Sequence, residues 1–193
     1  MINKAKEGKC IIFSAPSGAG KTTIVRALLA EMNQLAFSIS ACSRLPRGTE
    51  KAGVDYHFIS VEEFQAKILK NDFVEWEEVY TNNYYGTLKS ELSRIWDSGK
   101  TVVFDVDVVG GIHLKEILKE NALAIFIKPP NQDVLEHRLR KRNTESEDKI
   151  QIRIKKATEE VLRAEEFDCV IENDQLELAI AAAREQVLKF LSR

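Results

Sequence analysis

The chain has 193 residues, of which 44% are hydrophobic and 30% charged, as in a globular protein rather than a disordered one. Its net charge of −2 argues against a broad nucleic-acid-binding surface, so an anion site must be a local basic cluster. No apolar stretch is long enough to span a membrane, and the charged residues 1–7 are unlike a signal peptide. Cys10, Cys42 and Cys169 lack metal-ligand spacing and are interpreted as reduced thiols in a cytoplasmic protein.

Strand and helix patterns alternate along the chain, which predicts an α/β fold with a mainly parallel sheet flanked by helices. Two nearly continuous apolar runs, at 102–106 and 123–127, are typical of central parallel strands. In chain order the pattern predicts a strand at 9–14, a helix at 22–32, a strand at 37–41, a loop at 43–55, an extended segment at 56–60, a helix at 61–69, a strand at 73–81, a turn at 82–83, a helix at 87–97, a strand at 100–106, a helix at about 110–118, a strand at 123–127, a helix from an Asn131 cap to 142, a long helix from 144, a strand at 169–171 and a helix at 176–191.

Two insertions interrupt this alternation, at about residues 37–87 and 131–167. We therefore expect a single domain whose core comprises about residues 1–36, 88–130 and 168–193. A core with two appended flaps suits a phosphoryl-transfer enzyme with two substrates, because closing flaps exclude water from the reacting phosphate.

A phosphate-binding loop follows the first predicted strand. Residues 14–23 read Ser-Ala-Pro-Ser-Gly-Ala-Gly-Lys-Thr-Thr and lead into a predicted helix, which is the arrangement of a P-loop. Small residues allow backbone N–H groups to surround phosphate oxygens, and the helix N-terminus adds unpaired donors. Lys21 can reach the β- and γ-phosphates, and the Thr22 hydroxyl can bind Mg²⁺.

One position departs from the strict P-loop pattern, which has glycine where this chain has Ala15. Because Ala15 precedes Pro16, its backbone is pushed towards the extended region, where glycine is not needed. A left-handed alanine would cost about 1–2 kcal/mol, so we predict a negative φ and an extended ψ at this residue.

A second constellation discriminates among P-loop proteins. Residues 40–47 read Ser-Ala-Cys-Ser-Arg-Leu-Pro-Arg and are followed by Gly-Val-Asp-Tyr at 53–56. Together with the P-loop, Glu75-Trp76, Tyr-Tyr-Gly-Thr at 84–87, Asp-Val-Asp at 105–107, Pro-Pro at 129–130, an arginine-rich segment and Asn-Asp at 173–174, this order resembles guanylate kinase over nearly the whole chain. The chain departs from the family pattern at Cys42 and Val109, where threonine and glutamine are common.

The resemblance implies a P-loop kinase core with a GMP-binding insertion at 37–87. Two arginines three residues apart can clamp a dianionic phosphate, and carboxylates can pair with the N1–H and N2–H₂ donors of guanine. The family pattern gives Arg44 and Arg47 the phosphate, with the Tyr56 and Tyr85 hydroxyls. It places four further residues at the base, which are Glu75 and Asp107 on the donor edge and Ser40 and Thr87 near O6 and N7.

The resemblance also implies a helical lid at 131–167 and an ATP site. Arg138, Arg142 and Arg153 of the lid would close over the ATP phosphates and act in catalysis with Lys21 and Arg44. The implied metal residues for Mg²⁺ are Thr22 and Asp105. The implied ATP-binding residues are Ser17, Gly18, Ala19, Gly20, Lys21, Thr22, Thr23 and Asn173.

The implied activity is Mg²⁺-dependent transfer of the ATP γ-phosphoryl group to GMP, with dGMP as a further small-molecule partner. Taken alone, Arg44 and Arg47 are equally compatible with loop salt bridges, and Glu75 with a solvated strand edge. Trp76 and Trp96 are interpreted as core. Two alternatives are an inactive, peptide-binding scaffold module and a kinase for another monophosphate. Lys21 and the lid arginines argue against the first, and Glu75 and Asp107 against the second.

Overall fold

The computed structural model describes residues 8–141 and 147–193. The strands are β1 (Cys10–Ser14), β2 (Leu35–Phe37), β3 (Ala41–Cys42), β4 (His57–Phe58), β5 (Phe73–Tyr80), β6 (Asn83–Leu88), β7 (Thr101–Val106), β8 (Ala122–Lys128) and β9 (Cys169–Glu172). The helices are α1 (Lys21–Glu31), α2 (Val61–Leu69), α3 (Lys89–Asp97), α4 (Val108–Leu118), α5 (Gln132–Lys141), α6 (Glu147–Leu162) and α7 (Leu176–Leu191), with short 3-10 helices at Lys119–Asn121 and Ala164–Glu166.

The central sheet is parallel throughout and has the strand order β2-β7-β1-β8-β9. All five residues of β1 are buried, which fits its apolar sequence and its place in the middle of the sheet. Alternate β1 residues face opposite layers, with Ile11 and Phe13 packing in the layer of α1 and α7. Cys10 and Ile12 pack in the layer of α3 and α4. The predicted α/β fold with flanked faces is confirmed.

The predicted strand at 37–41 is two strands in different sheets. β2 ends at Phe37 in the central sheet, and β3 begins at Ala41 in a second sheet with the order β4-β3-β6-β5. The intervening residues cross between the sheets, where the Ile39 N–H donates to the buried Glu91 carboxylate at 3.1 Å. The sequence Phe-Ser-Ile-Ser-Ala at 37–41 does not reveal such a crossing, because its apolar and polar residues alternate as they would in one continuous strand.

The predicted helix at 87–97 begins two residues later in the structure. That helix begins at Lys89, because Thr87 belongs to β6 and pairs with Glu75 of the antiparallel strand β5. The prediction omitted β6 as a strand, since asparagine and glycine residues weaken its local strand pattern. Trp76 on β5 is 44% exposed and not part of the core, whereas Trp96 is buried as predicted.

The helices α5 and α6 form a small unit with its own apolar cluster. Asn131 accepts a hydrogen bond from the Val134 N–H at 2.9 Å, which confirms the predicted cap of α5. The cluster that joins the two helices contains Leu135, Leu139, Ile150, Ile154 and Ala157. Within the described residues, every helix is too short or too polar to cross a membrane.

Candidate active site

The candidate active site is a cleft of about 840 Å³ at the carboxyl ends of β1 and β7. Ligands of open α/β sheets bind at this edge, because the loops that follow parallel strands meet there. The P-loop lies on one side of the cleft, loop residues beside β3 and β4 of the second sheet on another, and α6 on a third. The cleft is lined by the predicted site residues Ser17, Gly18, Gly20, Lys21, Thr22, Thr23, Ser40, Tyr56, Asp105, Asp107 and Arg153.

The P-loop backbone has the geometry of a phosphate cradle. Gly18 and Gly20 have φ values of 91° and 92°, in the left-handed region that favours glycine. Gly20 is also the N-cap of α1, so the first N–H groups of that helix point towards the cleft edge. Among the described residues, positive φ outside glycine occurs at Asn71, Asn82 and Lys119. The negative φ predicted for Ala15 is therefore confirmed.

Lys21, Thr22 and Asp105 meet at the base of the cleft. The Lys21 ammonium contacts the Asp105 carboxylate, and the Thr22 hydroxyl donates to the same carboxylate at 2.8 Å. β1 pairs with β7, which places Asp105 beside Phe13, directly before the P-loop. Burial is the main influence on the pKa of Lys21 and lowers it, while neighbouring carboxylates oppose that shift.

Asn173 lies behind the P-loop instead of lining the cleft. Its side-chain amide donates to the Ala19 carbonyl at 2.7 Å, and the residue is only 3% exposed. A Cβ atom at Gly20 would lie 2.3 Å from the Asn173 amide nitrogen, so this packing requires glycine. Arg138 donates to the Asn173 backbone carbonyl at 3.1 Å. In this structure both residues therefore support the P-loop from behind.

The helical unit α5–α6 packs directly on the P-loop. The Arg153 guanidinium donates to the Ser17 hydroxyl at 2.7 Å. A Cβ atom at Gly18 would lie 3.2 to 3.3 Å from the side chains of Leu135 and Leu139, which shows how closely the apolar cluster approaches the loop. Arg142 lies outside the described residues.

A strongly held arginine lies beside the cleft, in the loop that carries Glu50. Arg44 donates from Nε to the Tyr85 hydroxyl at 2.8 Å, and both of its terminal nitrogens donate to Glu50, at 2.6 and 2.8 Å. Its guanidinium lies 5.0 Å from the centre of the Tyr56 ring. Arg47 is exposed at the surface of the same loop. Neither arginine lines the cleft itself.

Two carboxylates and a hydroxyl come together across the second sheet and β7. The buried Thr87 hydroxyl donates to Glu75 at 2.7 Å, and Asp107 accepts from the Gly110 N–H at 2.8 Å as the N-cap of α4. A Cβ atom built on Gly110 would lie 3.2 Å from Asp107 and 3.9 Å from Glu75, so the carboxylates flank this glycine. Burial, reinforced by the charge of Asp107, raises the pKa of Glu75, while the Thr87 bond opposes the shift.

The site residues predicted from the sequence omit five charged residues that line the cleft, namely Arg26, Glu50, Asp55, Lys156 and Glu160. Lys156 and Glu160 lie 3.6 Å apart on one face of α6, and burial raises the pKa of Glu160. Their spacing of four residues was an available signal, but it is common on solvated helices and does not identify a cleft. Glu50 lies in a charged loop without a distinguishing pattern.

A P-loop at the carboxyl edge of a parallel sheet, facing a second lobe across one cleft, defines the class of P-loop kinases. The sequence model of the family described as Guanylate kinase matches residues 7–189. The chain therefore belongs to the guanylate kinase family.

Individual relatives agree with this assignment. The chain is 50% identical to Guanylate kinase of Bacteroides thetaiotaomicron, with coverage of 98% of this chain and 93% of the relative. It is 48% identical to Guanylate kinase of Porphyromonas gingivalis, with coverage of 96% and 99%. The crystal structure of guanylate kinase from Anaplasma phagocytophilum superposes with a TM-score of 0.75 at 27% identity, covering 98% of this chain and 88% of that one.

Proposed function

We infer that this chain is an ATP:GMP phosphotransferase, which moves the γ-phosphoryl group of ATP to GMP and produces ADP and GDP. Its family membership and near-complete coverage by relatives of about half-identical sequence support this activity. The observation that carries the proposal is one cleft, which the P-loop and Asp107 at the edge of the central sheet share with Ser40 and Tyr56 of the segment 37–87. One cavity is thus available to a phosphate donor and a phosphate acceptor together.

We propose that the acceptor half binds GMP at both ends. Arg44 and Arg47, with the Tyr56 and Tyr85 hydroxyls, bind the phosphate, because guanidinium groups match its charge and geometry. At the other end, Glu75 and Asp107 accept hydrogen bonds from the N1–H and N2–H₂ edge of guanine. The remaining polar groups, Ser40 and Thr87, serve the O6 and N7 side, and Thr87 also orients Glu75 through their 2.7 Å hydrogen bond.

The donor half binds ATP through the P-loop backbone from Ser17 to Gly20 and the residues Lys21, Thr22 and Thr23. Lys21 contacts the β- and γ-phosphates and must exchange its contact with Asp105 for them. Arg153, which contacts Ser17 here, spreads the charge of the migrating phosphoryl group together with Arg138 and Arg142. We also propose that Asn173 contacts the adenine of ATP, for which its side chain turns away from the Ala19 carbonyl.

Thr22 and Asp105 are the residues that would hold Mg²⁺. Their 2.8 Å contact places a hydroxyl and a carboxylate side by side at the base of the cleft, and such hard oxygens suit this ion. Mg²⁺ typically uses one or two protein oxygens together with substrate phosphates, and when bound it neutralises phosphate charge.

We also propose dGMP as a second acceptor and a cytoplasmic location for the protein. The chain is further proposed to divide into a core, a GMP-binding insertion at 37–87 and a lid at 131–167.

The proposed function is tested by measuring ADP release in a coupled assay with GMP, AMP, dUMP or dTMP as the acceptor. We expect the kcat/KM for GMP to exceed that for AMP by more than roughly 50-fold, because AMP would leave the carboxylates of Glu75 and Asp107 unpaired. Turnover of AMP equal to that of GMP would contradict the acceptor assignment. A folded protein without ADP release for any acceptor would instead favour the inactive scaffold alternative.

Arg44→Ala is expected to raise the KM for GMP by roughly 20-fold with little change in the KM for ATP, because charge-assisted contacts to the phosphate are lost. Steady-state kinetics with each substrate varied in turn provides the measurement. Arg184→Ala is the matched control, since Arg184 of α7 pairs with Glu31 of α1 at 3.2 Å and both side chains are exposed. An unchanged KM for GMP would show that Arg44 does not bind the phosphate.

A further inference from the structure

Most N–H groups of the Arg44 guanidinium donate hydrogen bonds to other groups of the protein. Among the described residues, Nη1 donates to Glu50 and to the Leu45 carbonyl, Nη2 donates to Glu50, and Nε donates to Tyr85. These contacts account for four of the five N–H groups of a guanidinium. The side chain is only 8% exposed, so its orientation is tightly defined.

The geometry separates two edges of the guanidinium fork. Glu50 occupies the end formed by Nη1 and Nη2, where its two oxygens accept bonds of 2.6 and 2.8 Å. The second Nη2 N–H therefore points along the other edge, beside Nε and the Tyr85 hydroxyl. An anion at that edge would meet the remaining N–H, while Tyr85, which accepts from Nε, can donate its own proton to it.

Glu50 is itself fixed by its loop. Its carboxylate accepts from the Arg47 N–H at 2.8 Å, and its own N–H donates to the Arg47 carbonyl at 3.0 Å. The Arg44 guanidinium lowers the pKa of Glu50 to about 2, so this carboxylate remains ionised at any pH at which the protein is assayed. The same turn thus connects the positions of both arginines.

We propose that Glu50 is a positioning residue for the acceptor: it holds the end of the Arg44 fork so that the Nε–Nη2 edge, with Tyr85, faces the GMP phosphate. The inference rests on the proposed function, because it assumes that Arg44 binds this phosphate. Glu50 makes no contact with GMP in this scheme and acts through Arg44. A phosphate held in this way needs no displacement of the carboxylate.

The proposal predicts a loss that is specific for the phosphate of the acceptor. Glu50→Ala should raise the KM for GMP by roughly tenfold, leave the KM for ATP unchanged and weaken GMP binding in calorimetry. Binding of guanosine, which lacks the phosphate, should not change. Glu50→Gln keeps one acceptor oxygen and the side-chain size, so it should show a smaller loss in the same direction.

A double-mutant cycle tests whether Glu50 acts through Arg44. In the Arg44→Ala background, Glu50→Ala should cause little further loss of GMP affinity, because the group that it positions is absent. Glu63→Ala is the matched control, since Glu63 is a carboxylate of the same insertion whose ion pair with Lys67 is 4.0 Å long. Thermal unfolding of each variant identifies losses that arise from misfolding.

If the Glu50 variants bind GMP as tightly as the unmodified protein or more tightly, Glu50 does not position Arg44, and a tighter complex would identify it as a competitor of the phosphate. Equal losses for GMP and guanosine, or additive losses in the cycle, would also overturn the inference. These results would leave the proposed function intact. If the unmodified protein bound guanosine as tightly as GMP, the phosphate recognition on which the proposed acceptor site depends would be absent.

Discussion

Lys21→Met is expected to reduce kcat by about 10³-fold, because a preorganised charge at the transferred phosphoryl group is lost. Methionine keeps much of the side-chain length, so the apolar packing at the start of α1 is largely preserved. The loss should appear in kcat and in kcat/KM alike, since the charge of Lys21 acts on the phosphates as they rearrange. Coupled measurement of ADP release with saturating GMP and varied ATP provides the test.

The matched control is Lys67→Met, which removes a lysine from α2, where its partner Glu63 lies 4.0 Å away. This variant should retain the activity of the unmodified protein. Lys21→Met should also unfold at a temperature close to that of the unmodified protein. Full activity in a folded Lys21→Met protein would show that the P-loop does not bind the phosphate donor as proposed.

Glu75→Gln is expected to raise the KM for GMP by about 10²-fold, because an amide replaces a carboxylate that pairs with two guanine donors. The amide presents one acceptor and one donor, so one guanine N–H would face another donor. The preference for GMP over AMP should fall with it, whereas the KM for ATP should not change. Glu78→Gln is the control on the same strand, since Glu78 is exposed and accepts from the Asn82 N–H at the end of the hairpin.

The Glu75→Gln variant also separates two contributions to the pH dependence of the KM for GMP, one from Glu75 and one from the phosphate of GMP. Burial raises the pKa of Glu75 above its usual value of 4.5, so this group takes up a proton at a higher pH than an exposed glutamate. The protonated acid cannot accept both guanine hydrogen bonds, so the KM for GMP should rise as the pH falls through that pKa. The phosphate of GMP also titrates near pH 6, but its contribution is retained in Glu75→Gln.

The expected result is therefore a steeper rise of the KM for GMP at low pH in the unmodified protein than in Glu75→Gln. Superimposable pH profiles would show that Glu75 is not the titrating acceptor of the base.

Several features of the fold were predictable because they depend on short stretches of sequence. The buried strand before the P-loop, the α2 and α7 ranges and the Asn131 cap follow from apolar periodicity and from a residue type that caps helices. The negative φ of Ala15 follows from the proline after it. In each case the physical cause lies within a few residues of its effect.

Other features depended on contacts between distant segments. The strand β6 was missed, because it is held by pairing with β3 and β5 more than by its own residues. Trp76 was placed in the core on residue type alone, although its strand leaves it 44% exposed. The guanine-edge candidates could be named only through family resemblance, since Glu75, Thr87 and Asp107 come from three separate segments.

The sequence by itself determined the P-loop and the α/β alternation, because these are properties of contiguous stretches, whereas most other candidate residues could be named through family resemblance. Only the tertiary structure decided which polar side chains meet. It pairs Lys21 with Asp105, Arg44 with Glu50 and Arg153 with Ser17, and it places Asn173 behind the P-loop. Hydrogen bonds and ion pairs need distances of a few ångströms, and strand pairing and helix packing, which linear sequence does not display, bring these side chains that close.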